Sequence, residues 1–220
     1  MNKFYKVFLI ATMPLSIISC GSGEKKAESK DQSKDENKTM SGADSKSNIG
    51  NKAKTSSNSN EEKMKERRAK GDTLAMPYTE LQKYLPSSVD GYKAEKPNGA
   101  TINMMKMSYS SADIKFKKDN GDWVKVTIVD YNQAYNLYTA ATAMWTMGMS
   151  IDTPEEKMNS INFDNTVGGW EVYKKNRKDA TVTLGVGSRF WVNIEANNQN
   201  DTEMIKSIAK TMDLSKLSTL

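Results

Sequence analysis

The sequence contains no histidine and only one cysteine, Cys20. Without histidine, Ser-His-Asp and Cys-His catalysis and histidine-based zinc sites are excluded for this chain. A single cysteine cannot form a disulfide within the chain, so the hydrophobic core has to stabilise the fold. No apolar run after residue 18 is long enough to cross a bilayer. These absences leave carboxylate chemistry or a binding role.

The first nineteen residues have the pattern of a secretory signal peptide. Lys3 and Lys6 supply positive charge, and a mostly apolar run follows at residues 7–18. As a helix, this run reaches only ~18 Å, which is less than the ~30 Å hydrocarbon core of a bilayer. We therefore predict a signal peptide at residues 1–19 and no permanent transmembrane helix.

The residues before Cys20 resemble the lipobox of bacterial lipoproteins. Ile17 is the branched aliphatic residue three positions before the cysteine, and Ile18 and the small Ser19 fit the next two positions. The resemblance implies that the signal is cleaved before Cys20 and that Cys20 carries palmitate-type acyl chains. Two or more such chains hold a protein stably on a membrane. Because Gly21 follows in place of Asp, the resemblance implies the outer membrane of the cell envelope, facing either the periplasm or the surface.

Residues 20–71 are predicted to form the lipidated cysteine and a disordered, charged tether. This segment has no aromatic residue and only isolated apolar ones, so it cannot bury enough surface to offset its ordering entropy. A flexible chain of this length reaches ~40 Å. Within it, residues 61–70 carry charges at helical spacing, but they offer no apolar face for docking.

The net charge of +5 lies outside the predicted domain. Residues 21–71 contain 13 basic and 9 acidic side chains, whereas residues 72–220 contain 17 and 18. Nucleic-acid binding requires a basic face, so we predict no nucleic-acid partner. We expect membrane contact through the N-terminal lipid, and an envelope protein, a glycan or a lipid as the partner of the domain. No cofactor is expected.

Residues 72–220 have the length of one domain and match themselves at an offset of 68 residues. The aligned positions include Ala112, Ile114, Phe116, Trp123 and Val126 in the first copy and Ala180, Val182, Leu184, Trp191 and Ile194 in the second. The two copies span about residues 87–149 and 165–220. We predict an α+β fold with an antiparallel sheet of about six strands and two helices on one face, built from two βββα units.

Capping and turn residues place the individual elements. The predicted helices cover residues 77–85, 132–147 and 153–160, and a fourth begins at residue 200 or 201. In the second of these, Leu137 is expected to point inward. Hairpin turns are predicted at residues 119–122, which contain the Asn-Gly signal, and at residues 187–188. The Asp-Asn-Gly-Asp turn lacks the spacing and the terminal Glu of an EF-hand loop, so a calcium role is not favoured.

Carboxylates are the remaining source of acid and base catalysis. The candidates are Asp130, Asp152, Glu155, Glu156 and Asp164. A carboxylate-dependent envelope hydrolase would require two of them to lie within ~5 to 10 Å of each other in a cleft. None belongs to a recognisable motif, so catalysis is the alternative hypothesis and a non-enzymatic role is preferred.

Methionine is unusually frequent, with 14 residues in the chain. Thioethers are soft ligands for Cu(I), and they also fill cores and line adaptable binding grooves. The weak candidates for Cu(I) are Met104, Met105, Met107, Met144, Met147 and Met149. Core packing is the preferred interpretation, and a metal site is the least favoured.

Aromatic residues are the candidates for partner recognition, because a sheet covered on one face has a second face free. The candidate binding residues are Tyr92, Tyr109, Tyr131, Trp170 and Tyr173. Trp123 and Trp191 occupy matched positions in the two copies and are expected in the core. The preferred function is a lipid-anchored binding or assembly module of the cell envelope, and a structural envelope protein without a small ligand is an open alternative.

Overall fold

The computed structural model describes residues 61–104, 107–132, 134–142 and 148–220. Helical segments in these ranges are α1 (residues 61–69), α2 (Tyr78–Leu81, continued by a 3-10 turn at Gln82–Tyr84), α3 (Tyr135–Thr142), α4 (Glu203–Thr211) and α5 (Leu214–Ser218). None of the described helices is long and apolar enough to cross a membrane. The predicted signal peptide and most of the tether lie outside the described residues.

The described residues form one antiparallel sheet of nine strands. The strands are β1 (Lys93–Ala94), β2 (Asn98–Met104), β3 (Met107–Lys117), β4 (Trp123–Asp130), β5 (Ser150–Asp152), β6 (Glu156–Asn162), β7 (Val167–Lys174), β8 (Asp179–Val186) and β9 (Phe190–Ala196). Their order across the sheet is β1-β3-β4-β9-β8-β7-β6-β5, and β2 also pairs with β3. The predicted α+β class with an antiparallel sheet is confirmed, although six strands were too few.

One face of the sheet, here called the core face, carries the hydrophobic core. Even-numbered residues of β3, β4, β8 and β9 point to this face and are buried, because successive side chains of a strand alternate between faces. Leu81 of α2, Ile205 of α4 and Leu217 of α5 are completely buried against it. Each such side chain contributes about 1.5–3 kcal/mol through burial.

The helices that cover this core differ from the predicted pair. Buried residues come from α2, α4 and α5, whereas the buried Tyr138 of α3 does not belong to the core cluster. Leu137, which was expected to point inward, is 48% exposed. The sequence pattern also predicts that Met144 and Trp145 point inward, but both lie outside the described residues. The prediction of two helices on one face is therefore not matched.

The helix predicted at residues 153–160 is wrong. Glu156–Asn162 is the strand β6, and it pairs along its whole length with β7. Thr153 Oγ1 accepts hydrogen bonds from the N–H groups of Glu155 (3.3 Å) and Glu156 (3.1 Å), so it closes the turn of the β5–β6 hairpin. A capping residue serves a helix start and a tight turn equally well.

Both predicted hairpin turns are present. Residues 118–122 join β3 to β4, with a 2.8 Å hydrogen bond from Lys118 N–H to the Asp122 carbonyl and with Gly121 at a φ of 93°. Asp119 lies in an ion pair with Lys93, at 2.7 Å. The turn between β8 and β9 contains Gly187 and Ser188, whose φ angles are both 61°. Two consecutive turn residues with positive φ give the hairpin a twist that matches that of the flanking strands.

Candidate functional site

The most buried charges form an ion pair at one end of the sheet. Asp130, the last residue of β4, is completely buried, and Arg189 precedes β9 and is 5% exposed. The Arg189 guanidinium donates from Nε to Asp130 Oδ1 at 2.9 Å and from Nη2 to Asp130 Oδ2 at 2.7 Å. Burial alone would lower the pKa of Arg189, but the hydrogen bonds and charge of Asp130 raise it overall.

This pair fixes residues 72–76, the segment that follows the predicted tether. Arg189 Nη1 donates to Asp72 Oδ2 at 2.9 Å, and the Met76 N–H donates to Asp130 Oδ2 at 2.8 Å. Asn132 Nδ2 donates to Asp72 Oδ1 at 2.7 Å and to the Leu74 carbonyl at 2.9 Å. The first residues of the domain are thus held by its buried charges.

Helix α1 docks beside this segment, although residues 61–70 were expected to offer no apolar face for docking. Met64 is 8% exposed, and Arg67 donates to Asn132 Oδ1 at 3.2 Å and to the Ser188 carbonyl at 3.3 Å. Burial and the charge of Arg189 lower the pKa of Arg67. A polar cavity of about 350 Å³ lies between α1, Gly187 and residues 218–220.

The geometry of this cluster fits a structural clamp better than a catalytic centre. Every oxygen of Asp130 already accepts hydrogen bonds, from Arg189, Met76 and Asn132. A general acid or base needs a free lone pair or proton within reach of a substrate. The clamp therefore holds residues 72–76 against the end of the sheet.

The other candidate carboxylates lie apart from Asp130. Asp152, Glu155 and Glu156 belong to the β5–β6 hairpin, where Asp152 pairs with Lys175 at 2.5 Å. Asp164 lies in the turn between β6 and β7, and hydrogen bonds from the N–H and hydroxyl of Thr166 lower its pKa. This turn is separated from the β5–β6 turn by the length of β6, which is ~23 Å at ~3.3 Å per residue.

Asp164 and Asp130 also lie far apart, although they share one end of the sheet. The cross-strand register runs from Asp130 through Phe190 and Val186 to Val167, the residue that follows the Asp164 turn. Three strand spacings of ~4.8 Å separate β4 from β7. Asp130 and Asp164 therefore do not form the convergent pair that a carboxylate hydrolase requires. Asp152 and Glu155 share the β5–β6 turn, but both are exposed.

The methionine candidates are only partly described. Met104 and Met107 oppose each other in the β2–β3 hairpin and are 56% and 43% exposed. Met149 is half-buried, and its carbonyl accepts a hydrogen bond from the Ser160 N–H. Met105, Met144 and Met147 lie outside the described residues. Within the described ranges, no group of three or more histidine, cysteine, aspartate or glutamate side chains is arranged to hold a metal ion.

The face of the sheet opposite the core face, here called the second face, carries aromatic and polar side chains. Its residues include Tyr109, Thr127, Trp170, Thr183, Trp191 and Asn193. Among the predicted binding residues, the strand register places Tyr109 and Trp170 on it, and Tyr131 continues it beyond β4. Burial, and to a smaller degree Tyr109, raise the pKa of Tyr131, whose ring meets Tyr138 edge-on at 6.4 Å.

The remaining predicted aromatic residues lie elsewhere. Tyr92 and Tyr173 pack against the hydrophobic core, and the Tyr173 hydroxyl donates to the Gln199 carbonyl at 3.0 Å. Trp123 and Trp191 are not core residues, since both are half-exposed on the second face. Lys115 Nζ lies 4.7 Å from the centre of the Trp123 ring. Successive side chains of a strand alternate between faces, so Trp123 and Trp191 point outward because their neighbours Val124 and Val192 point into the core.

A buried polar pair lies in the middle of the second face. Thr183 and Asn193 oppose each other on β8 and β9, each is 8% exposed, and Thr183 Oγ1 donates to Asn193 Oδ1 at 2.7 Å. Trp170 is the cross-strand partner of Thr183, and Trp191 lies two residues from Asn193 on the same face. Among the described residues, none accepts a hydrogen bond from Asn193 Nδ2. A buried amide with an unused donor is suited to hold an acceptor of a ligand.

Two features of this arrangement were not predicted from the sequence. No local pattern indicates the role of Arg189, although the alternation of β4 places its partner Asp130 inward beside Val124, Val126 and Ile128. A carboxylate that faces the core requires a cation or several hydrogen-bond donors, so the inward position of Asp130 could have indicated a buried partner. Asn193 likewise occupies an outward position of β9, where its burial depends on neighbours distant in sequence.

Comparisons with known proteins give no match. No family model fits the chain, and no curated protein and no solved structure is significantly similar to it.

Proposed function

We propose that the protein is a lipid-anchored protein of the cell envelope, most simply of the outer membrane, and that its domain is a non-enzymatic binding module. The anchor rests on the lipobox-like residues that end at Cys20 and on the signal-like run before them. Replacing Cys20 with Ala should release the protein from the membrane fraction. Equal membrane association of the two forms would contradict the anchor.

The observation that carries the binding role is the second face. It combines the half-buried rings of Trp170 and Trp191 with the buried amide of Asn193, whose nitrogen has no acceptor among the described residues. Indole rings supply a large apolar contact area, and a buried amide that donates a hydrogen bond fixes the orientation of the partner. The partner that we propose is an envelope protein, a glycan or a lipid.

The carboxylate hydrolase receives less support than the binding module. Asp164 lies at the opposite end of β6 from the other hairpin carboxylates, and both oxygens of Asp130 already accept hydrogen bonds. Asp152 and Glu155 share one turn, where both are exposed. An assay of cell-wall hydrolysis with the purified chain should give no product above background. If the chain hydrolysed cell wall and Asp164→Asn abolished this activity, the hydrolase would be favoured over the binding module.

Photo-crosslinking in living cells tests the binding face. A photoreactive amino acid in place of Trp170 should form an adduct with the partner, and the adduct should disappear when Asn193 is replaced by Leu. The matched control carries the photoreactive residue in place of Tyr173, on the core face of the same strand. Identical adducts from both positions, or none from position 170, would contradict a binding role for the second face.

We also propose that the domain is built from two βββα units. The pairs Ala112–Ile128 in β3 and β4 and Ala180–Ala196 in β8 and β9 have the same register, shifted by 68 residues. Helices α3 and α4 begin at residues 135 and 203, which are also 68 apart. A circular permutant that begins with the second unit should fold, because each unit keeps its local pairings.

A further inference from the structure

The strand β2 forms a long free edge of the sheet. It pairs only with β3, over all seven of its residues, and no other described strand lies beside it. Six of the seven residues are exposed. A free edge strand has unpaired N–H and C=O groups that point outward in the plane of the sheet. It is therefore a template for one further strand.

This edge lacks the usual protection against pairing. Natural edge strands are shortened or carry charges, prolines or bulges, but the β2 sequence Asn-Gly-Ala-Thr-Ile-Asn-Met has no charge and no proline. The opposite edge strand, β5, has three residues, and its Asp152 is paired with Lys175. The edge strand β2 therefore lacks the protection that the opposite edge strand β5 has.

The helix α2 does not obstruct this edge. The Tyr78 N–H donates to Thr101 Oγ1 at 2.8 Å, and Thr101 opposes the buried Ser110, so that side chain lies on the core side of β2. Gln82 Nε2 occupies one carbonyl, that of Asn98, at 3.1 Å. The rest of the strand is held from one face and leaves its outer edge open.

The sequence of β2 fits a second copy of itself. In an antiparallel pairing centred on Thr101, the seven residues overlap completely, with Thr101 opposite Thr101 and Ala100 opposite Ile102. No like charges meet, and the exposed Ile102 (39%) would face Ala100 and lie diagonally across from Ile102 of the second copy. A foreign strand would need charges or pockets for its selection, and β2 offers no charged side chain.

We propose that two copies of this chain associate through β2, antiparallel about a two-fold axis at Thr101, so that their sheets become continuous. A two-fold contact of this kind is closed, and it therefore produces dimers and not filaments. The inference goes beyond the proposed function and does not depend on the lipid anchor. A Cys20→Ala chain should dimerise as the wild type does.

Charge pairs at positions 100 and 102 test both the contact and its register. In Ala100→Lys/Ile102→Lys, lysines would face each other twice across the axis, whereas in Ala100→Lys/Ile102→Glu each lysine would face a glutamate. We expect the first variant to raise the dimer dissociation constant at least about tenfold and the second to keep it within about threefold of the wild type. Both side chains are exposed, so at concentrations where all three chains are monomeric, both variants should unfold at the wild-type temperature.

Sedimentation of the full chain in detergent, over a range of concentrations, measures these constants. A wild-type chain that stays monomeric at every concentration, while remaining folded, would overturn the proposal. Equal weakening in the Lys/Lys and Lys/Glu variants would overturn the antiparallel register centred on Thr101. A crosslinked dimer of the wild type in membranes that is absent only in the Lys/Lys variant would support it.

Discussion

Asp130→Ala tests whether the buried ion pair clamps the start of the domain. The change removes the acceptor of four hydrogen bonds: from Arg189 Nε and Nη2, from the Met76 N–H and from the Asn132 N–H. Arg189, with 6% of its side chain exposed, would retain Asp72 as its carboxylate partner. Leaving a buried charge without its main partner costs about 3–5 kcal/mol.

Urea unfolding followed by tryptophan fluorescence measures this cost. With a urea dependence of about 2 kcal/mol per molar, the midpoint should fall by about 2 M. The control is Lys83→Ala, which breaks an exposed ion pair with Glu80 at 2.6 Å and should cost at most about 1 kcal/mol. The double variant Asp130→Leu/Arg189→Met should be more stable than Asp130→Ala, because it leaves no unpaired charge. A loss below about 1 kcal/mol in Asp130→Ala would refute the clamp.

Three further predictions concern packing and pH. Met64→Ala should undock α1 at a cost of about 2 kcal/mol, so that amide exchange across residues 61–69 becomes about thirtyfold faster; unchanged exchange would contradict the docking. Gly169→Ala should lower the melting temperature, because a Cβ there would lie 1.9 Å from the Thr183 carbonyl oxygen, and overpacking of this kind costs about 1–3 kcal/mol. Burial alone would raise the pKa of Glu171, but hydrogen bonds from Thr202, Lys206 and Asn159 lower it overall. Its stabilisation is therefore fully present above the unfolded pKa of ~4.3 and is lost as the pH falls through the lower pKa of the folded state. The excess unfolding free energy of the wild type over Glu171→Gln should be full at pH 7 and decrease as the pH falls below ~4.3. A constant difference between pH 3 and pH 7 would contradict that assignment.

Local sequence signals predicted the elements whose information is local. The Asn-Gly turn at residues 120–121, the alternation of β3 and β4, and the apolar stripe of α4 with Ile205 and Ile208 are all present. Their pattern and turn chemistry favour the same structure. The strands β5 and β6 were missed because they are short or polar. In addition, Thr153 accepts hydrogen bonds from the following N–H groups in this turn as it would at the start of a helix, so its sequence pattern does not distinguish the two.

Long-range contacts explain why the site was less predictable than the fold. Arg189 meets Asp130 across 59 residues and Asp72 across 117, so no local pattern indicates either contact. Trp191 lies outward because β9 pairs with β4 in a register that places Val192 opposite Ile128 on the core face. The proposed anchor differs from these features, since the signal for it is a short run of adjacent residues that ends at Cys20.

Metabolic labelling with a palmitate analogue, in cells that express the wild-type or the Cys20→Ala chain, tests the proposed lipid anchor most directly. We expect a labelled wild-type chain whose first residue is Cys20 by mass spectrometry, and an unlabelled variant. Label on the variant, or a wild-type chain that carries no label and begins at another residue, would contradict it.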